Sequence, residues 1–379
     1  MKNFLNWIEL KLSILWYKAE KSAKNNSDSL SKLRIFYGIF ILLFLNLSFS
    51  WIGEIPQGLF LPNFLSLSIF FNGFPHYNFM LGIEIILVCL GFCLLLGIKA
   101  RWTGIAFIIV YIIGNSFSFS FGKINHGSVM FITFILGLSF TNWGVNNALV
   151  PDKRVSEKFE QRVLATLGVI LCFGMFTAGL EKALYWVDFD LNTGGFLSWF
   201  YQGYFTQGRE RFLAPLILQL PPQMFEVADY LAVVFELSPL LALLSGRKWW
   251  LLWLLVACTF HLANTLLLNI NFIAHAPVYL TFVSLSWGKS KHKSKFGILT
   301  KFNYLTFAIS IAAFIALHYL LNLLVRESSN FHLMDEIYYF ANNSGFPLYL
   351  NIVIWLITMS IIAVNLLIPN KTKLNTDRI

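Results

Sequence analysis

Charge is the scarcest property of this chain. Asp, Glu, Lys and Arg make up 12% of its 379 residues, while hydrophobic residues reach 57% and aromatics 17%. That charged share is about half of what an average soluble protein carries, which excludes an ordinary water-soluble domain. Cysteine is scarce too. Cys89, Cys93, Cys172 and Cys258 form neither a CxxC pair nor a zinc-ligand spacing, so packing is their reading and no metal is expected. A glycine-rich phosphate loop, a GxSxG nucleophile elbow and an HExxH helix are all missing. Nucleotide, acyl-transfer and zinc-protease chemistry therefore have no signature here.

Long apolar runs take the place of charge. Ten segments approach or pass the roughly 18–20 apolar residues that cross a bilayer as a helix: 33–51, 79–98, 102–121, 124–141, 163–186, 228–245, 249–268, 271–287, 302–324 and 347–368. Two of them, 124–141 and 271–287, open on polar residues. The stretch 61–72, "LPNFLSLSIFFN", is too short to span and reads as an interfacial or re-entrant piece. The expectation is an all-α, polytopic helical membrane protein with about ten transmembrane helices and the lipid bilayer as its first partner.

The few charges orient it, because lysine and arginine are retained on the cytoplasmic side. With the N-terminus inside, 23 of the 28 basic residues fall on inner segments, and only Lys123, Lys182, Arg209, Arg211 and Arg326 lie on or near the outer side. This alternation predicts an even helix count with both termini cytoplasmic, in a multi-pass plasma (inner) membrane protein. It also accounts for the net charge of +9 through loops facing anionic lipid, with no nucleic-acid partner implied. Residues 1–30 open with "MKNFLNWIELKLSILWYKAEKSAK", which puts Phe4, Ile8, Leu12, Leu15 and Trp16 on one helical side. No long apolar core with a small-residue cleavage site is present, so this segment reads as an amphipathic helix on the inner leaflet rather than a secretory signal.

Ionisable residues inside the spans are costly and so point to function. Glu84, Lys182, Glu236, His261 and His275 all fall in the outer half of their helices, at a depth similar to Asn125 and His126 in the turn "GKINHGSVMF". A common depth suggests a cavity open to the outer face. His261 and Asn264 are three apart and share a helical face. Adjacent Glu181 and Lys182 must point into different environments. Lys182, with Tyr185 and Trp186 following on its own face, has two readings: a lysine snorkelling to the headgroups, or one desolvated enough to act as a base.

The segments "SKLRIFYGIFILL" (31–43), "INHGSVMFITFILGLSF" (124–140), "FTAGLEKALYW" (176–186) and "FHLANTLLLNINFIAHAPVYL" (260–280) together resemble one family. It is the horizontally transferred transmembrane domain family, which includes the membrane domain of the vitamin K-dependent gamma-glutamyl carboxylase. The resemblance covers 31–287 and leaves 288–379 as two further helices and a basic tail. It implies an outward-facing, lipid-accessible pocket, in a bacterial inner membrane, where a reduced quinone such as menaquinol or a vitamin K hydroquinone-like molecule is oxidised and a strong base is generated. The lysine of "AGLEK" implies Lys182 as that base, and the histidine after asparagine implies His126 as a polarising or proton-handling partner beside Asn125. "FHLAN" implies His261 and Asn264 as lining residues. Glu84, Glu236 and His275 are included from their depth alone. The chain departs from the carboxylase in having no large outer domain after its last span and a longer, glycine-bearing link after Trp186.

Two other classes remain open. A non-catalytic scaffold for the maturation, export or immunity of a small exported peptide or protein would use the aromatic segment 187–226, with Arg209 and Arg211, as an outer cap. A transporter would need polar groups along an alternating path, whereas the ionisable residues lie toward one side only.

Overall fold

The computed structural model describes residues 2–122, 127–188, 194–285, 303–325 and 346–367. Regular structure among these residues is helical, and extended backbone meets only in two isolated bridges, Leu61 with Phe121 and Ile98 with Val150. The helices are α1 (Lys2–Ala23), α2 (Ser27–Phe44), α3 (Tyr77–Leu96), α4 (Ala100–Ser118), α5 (Val129–Leu138), α6 (Glu157–Tyr185) and α7 (Gly195–Tyr201). They continue with α8 (Ala214–Ile217), α9 (Gln223–Leu237), α10 (Pro239–Ser245), α11 (Arg247–Leu268), α12 (His275–Leu280), α13 (Tyr304–Val325) and α14 (Phe346–Leu367).

Of about ten expected spans, five helices among the described residues have the length and apolarity to cross a bilayer: α3, α4, α6, α11 and α14. A sixth span forms if α9 and α10, bent by 46° at their junction, are taken as one. Where an apolar run gives a shorter helix among the described residues, the causes are local. The run 33–51 stops at Phe44 because the chain turns extended at Leu45 and Asn46 accepts the Ser48 N–H at 2.9 Å, a side-chain turn that competes with helix. The helix itself starts earlier than the apolar run, at Ser27, where the Asn26 side chain accepts the Ser29 N–H at 2.9 Å and Asp28 sits in the first turn. The run 124–141 yields only the ten-residue α5, and 271–287 only the six-residue α12. Asn269, left-handed at φ 51°, ends α11, and the Thr281 hydroxyl bonds back to the Pro277 carbonyl at the end of α12. The segment 61–72 holds a single 3₁₀ turn, Leu67–Phe70, and presents Phe64, Leu65 and Phe70 outward.

The described chain divides into two compact units. One contains α2 to α5, the start of α6 and α13. Its centre is an arginine. Arg34 on α2 is fully buried and donates to the carbonyls of Leu94 (3.0 Å) and Leu95 (3.5 Å) at the end of α3 and to that of Asn147. This caps the carbonyls that a helix C-terminus leaves unpaired. Gly97, at φ 71°, follows α3, and a Cβ there would lie 2.0 Å from the Arg34 guanidinium. Further along, a Cβ on Gly38 would lie 2.5 Å from Leu95 Cα, so α2 and α3 meet backbone to backbone.

The second unit contains α1, α6 from Leu164 onward, α7 to α12, and α14. Here Arg247 donates to the Ser22 carbonyl at the end of α1 (2.7 Å), and Asn25 donates to the carbonyls of Thr281 and Val283 (2.8 and 3.0 Å). Asn269 accepts the Arg211 N–H at 2.7 Å and donates to the Arg211 carbonyl at 3.0 Å, tying the loop before α8 to the end of α11.

Two substitutions test the first unit. Arg34→Met removes the guanidinium donor to the Leu95 and Asn147 carbonyls, and Gly38→Val forces α2 away from α3. Each is expected to cost about 2–4 kcal/mol and to lower the unfolding midpoint of the purified protein in detergent. Lys153→Met, at an exposed position, should leave the midpoint where it is. Equal midpoints for all three proteins would count against this packing.

Candidate functional site

Lys182 and Glu236, which the sequence offers as separate candidates, meet as an ion pair in the second unit. Lys182 Nζ lies 2.6 Å from Glu236 Oε1 and 2.5 Å from Oε2. The lysine side chain is 20% exposed and the carboxylate 5%. Two backbone features bring them together. Gly179, one turn before Lys182 on α6, has no side chain where a Cβ would lie 2.8 Å from Glu236 Cβ, so α6 and α9 approach closely. Glu236 itself sits at the end of α9, just before the break at Ser238 and Pro239. Proline brings no N–H, and the carbonyls freed there find other donors. The Ser238 hydroxyl and the Trp253 indole donate to the Phe235 carbonyl at 2.8 and 3.4 Å, and Trp253 also donates to Ser238 Oγ at 3.2 Å. A helix C-terminus carries partial negative charge, which reinforces the carboxylate in holding an ammonium.

Trp186 completes the ammonium's surroundings, its ring 5.2 Å from Lys182 Nζ. Tyr185 turns outward and is exposed, so one of the two aromatics expected on the lysine's face covers it. Glu181 is likewise exposed. A Cβ on Gly195 would lie 2.0 Å from the Trp186 ring, so the glycine makes room for the indole. Beside it lies a cavity of about 350 Å³ lined by Trp186, Asp188, Gly195, Ser198, Trp199 and Gln202 among others. Asp229, fully buried on α9, accepts the Phe196 N–H at 2.8 Å and so anchors α7, which carries that wall.

The second constellation of this unit is aromatic. His261 on α11 is 4% exposed, and its Nε2 lies 2.7 Å from the Tyr279 hydroxyl of α12. Its ring is 4.8 Å from that of Phe272, 5.2 Å from His275 and 5.1 Å from Trp355 of α14. Trp253 joins the two constellations: it stacks on Phe235 at 5.3 Å and meets Tyr279 edge-on at 6.4 Å. Glu236 acts electrostatically on Tyr279, and Lys182 on His261.

The remaining candidates have other settings. Asn264, half-buried, offers its carbonyl to the N–H groups of Asn269 and Ile270 at the end of α11. Glu84 belongs to the other unit, where its carboxylate accepts the N–H groups of Phe49 and Ser50, the latter at 2.5 Å. Asn125 and His126 lie outside the described residues. Among the described residues, no group of three or more His, Cys, Asp and Glu side chains is arranged for a metal ion. Sequence reasoning placed Gly179 one turn before Lys182 but overlooked Trp253, Tyr279 and Trp355. Tyr279 had a usable signal, lying one helical turn after His275; Trp355 had none, because only the tertiary fold brings α14 to His261.

An ammonium and a carboxylate taken out of water stabilise each other mainly against the cost of leaving either alone. Glu236→Gln should therefore lower stability in detergent by about 3–5 kcal/mol, and Lys182→Met by a similar amount. The double variant Lys182→Met/Glu236→Leu should return most of it. Additive losses in the double variant, read from unfolding midpoints, would mean that the pair is not coupled.

No protein-family model matches this chain, and no curated protein or solved structure matches it either.

Proposed function

We propose that this chain is a multi-pass plasma (inner) membrane protein, both termini cytoplasmic, that uses Lys182 as a base in quinol-linked chemistry of the carboxylase type. The observation that carries the reading is the Lys182–Glu236 pair at a broken span beside a cavity walled by tryptophan. A charge pair is too costly inside a bilayer-spanning unit to be retained for packing alone, and it stands beside the space where a ligand would bind.

The residues present fit a reduced quinone. Trp186 and Trp199 offer flat aromatic surface, and Ser198 and Gln202 offer hydrogen bonds to ring oxygens. Such a quinol supplies reducing equivalents and a weakly acidic hydroxyl. Lys182 can take a proton only as the free amine, so in this reading Glu236 first accepts the ammonium proton and holds it at a carboxylate oxygen. The amine nitrogen then accepts the next proton from the bound ligand, and Trp186 keeps water from its open side. His126 is the second proton-handling group, on the strength of the family resemblance. His261 supports the reading as a buried imidazole within electrostatic reach of Lys182, with the His275 ring 5.2 Å from its own.

A second reading has its own support. Around α7 and α8, Trp199, Phe205 and Leu216 are each more than half exposed. That is a surface suited to holding an exported peptide at the outer leaflet, in a non-catalytic scaffold.

Purified protein in lipid, given menaquinol under air, should oxidise it. Lys182→Met should cut that turnover by about 10²-fold or more, the usual size of a general-base contribution. Undiminished turnover in Lys182→Met removes the base assignment. Absence of turnover in well-folded wild type, with a peptide co-purifying, selects the scaffold. For orientation, reporters that are active only in the cytoplasm should work when fused to either end of the chain; a silent C-terminal fusion beside an active N-terminal one would require an odd number of spans.

A further inference from the structure

Around His261, four side-chain atoms lack a hydrogen-bond partner among the described residues: His261 Nδ1, His275 Nδ1, Trp355 Nε1 and Asn351 Oδ1. Asn351 and Trp355 are completely buried and His261 nearly so. They are neighbours. The rings of His275 and Trp355 lie within 5.2 Å of His261, and Asn351 precedes Trp355 by one turn of α14, on the same face. A buried group left without its hydrogen bond costs roughly 1–3 kcal/mol, so four in one place call for an occupant that supplies them.

The atoms themselves select that occupant. Trp355 Nε1 only donates and Asn351 Oδ1 only accepts, while a neutral imidazole Nδ1 takes either role according to its tautomer. An anion would serve the donors alone, and a cation the acceptors alone. Water serves both, and internal water making about three bonds to otherwise unmatched groups is a regular part of protein interiors. The cluster also has a way out. Asn351 Nδ2 donates to Asn271 Oδ1 at 3.1 Å, and Asn271 is exposed in the turn between α11 and α12. At the inner end is the 2.7 Å bond between His261 Nε2 and the Tyr279 hydroxyl.

We propose that His261, His275, Asn351 and Trp355 form a water-binding chamber that opens at Asn271 and gives the His261–Tyr279 hydrogen bond protonic contact with the outside. This stands apart from the quinol reading, since it holds for an enzyme and a scaffold alike. It adds a route by which protons reach the neighbourhood of the Lys182–Glu236 pair through the protein rather than through its lipid-facing side.

Indole hydrogen exchange tests it. Full-length protein labelled with nitrogen-15 at tryptophan, in nanodiscs, is transferred to D2O. The Trp355 Nε1–H signal is assigned by its loss in Trp355→Phe. It should exchange at least about tenfold faster than that of Trp143, an equally buried indole of the other unit whose Nε1 also lacks a partner among the described residues. Asn351→Leu closes the mouth with an apolar side chain of similar size and should slow Trp355 about tenfold. Asn351→Ser keeps a polar mouth and should leave it fast, which separates closure from any loss of folding. Exchange at Trp355 as slow as at Trp143 overturns the chamber; equal exchange in the leucine and serine variants overturns the opening at Asn271.

Discussion

Every polar group that this fold removes from water must find its partner inside the protein, and that constraint explains where its buried charges lie. Arg34 is spent on the carbonyls that end α3. Glu84 holds the N–H groups of Phe49 and Ser50, where the chain leaves α2 and starts a 3₁₀ turn. Glu160 accepts the Asn142 N–H at 2.8 Å after α5, and Asp229 anchors the first turn of α7. In each case a full charge satisfies backbone dipoles at a place where helical hydrogen bonding stops, at a helix end or a turn. Charge-assisted bonds of this kind are about twice as strong as neutral ones, which suits them to points where several backbone groups are freed together.

Lys182 and Glu236 break that pattern. Among the described residues they bond to each other, side chain to side chain, and serve no backbone group. The fold goes to some length to bring them together: a glycine on α6 permits the close approach, a proline breaks the facing span, and Trp253 and Ser238 take up the carbonyl that the break exposes. The break also gives the pair a different setting from a charge in mid-helix, because α9 ends there and its partial negative charge points toward the ammonium. Electrostatic reach to His261 and Tyr279 then makes one neighbourhood of two clusters from five helices.

Much of this was legible in the residues. Low charge and long apolar runs indicate a helical membrane protein, because in hydrocarbon a single chain segment satisfies its own backbone most readily as a helix. Lys182, Glu236, His261 and His275 stand out as ionisable residues inside such runs. Depth along a helix, however, does not separate a charge that serves backbone from one that serves chemistry, and so Glu84 looked like its companions. Five or six of the ten expected spans have the length and apolarity to cross a bilayer among the described residues. Hydropathy counts apolar residues but does not register an Asn46 side chain competing for a backbone N–H, or the turn that Asn269 makes after α11.

The amino-acid sequence by itself determined the solvent of this protein, its helical class and the residue types available for chemistry, since those follow from composition and from spacing along one chain. Which of those residues meet was decided only by the tertiary structure. Lys182 and Glu236 lie 54 positions apart, and their pairing depends on the space left at Gly179 and on the bend before Pro239. His261 and Trp355 come together because α14 packs into the same unit as α11, a fact of three-dimensional packing that no local pattern encodes.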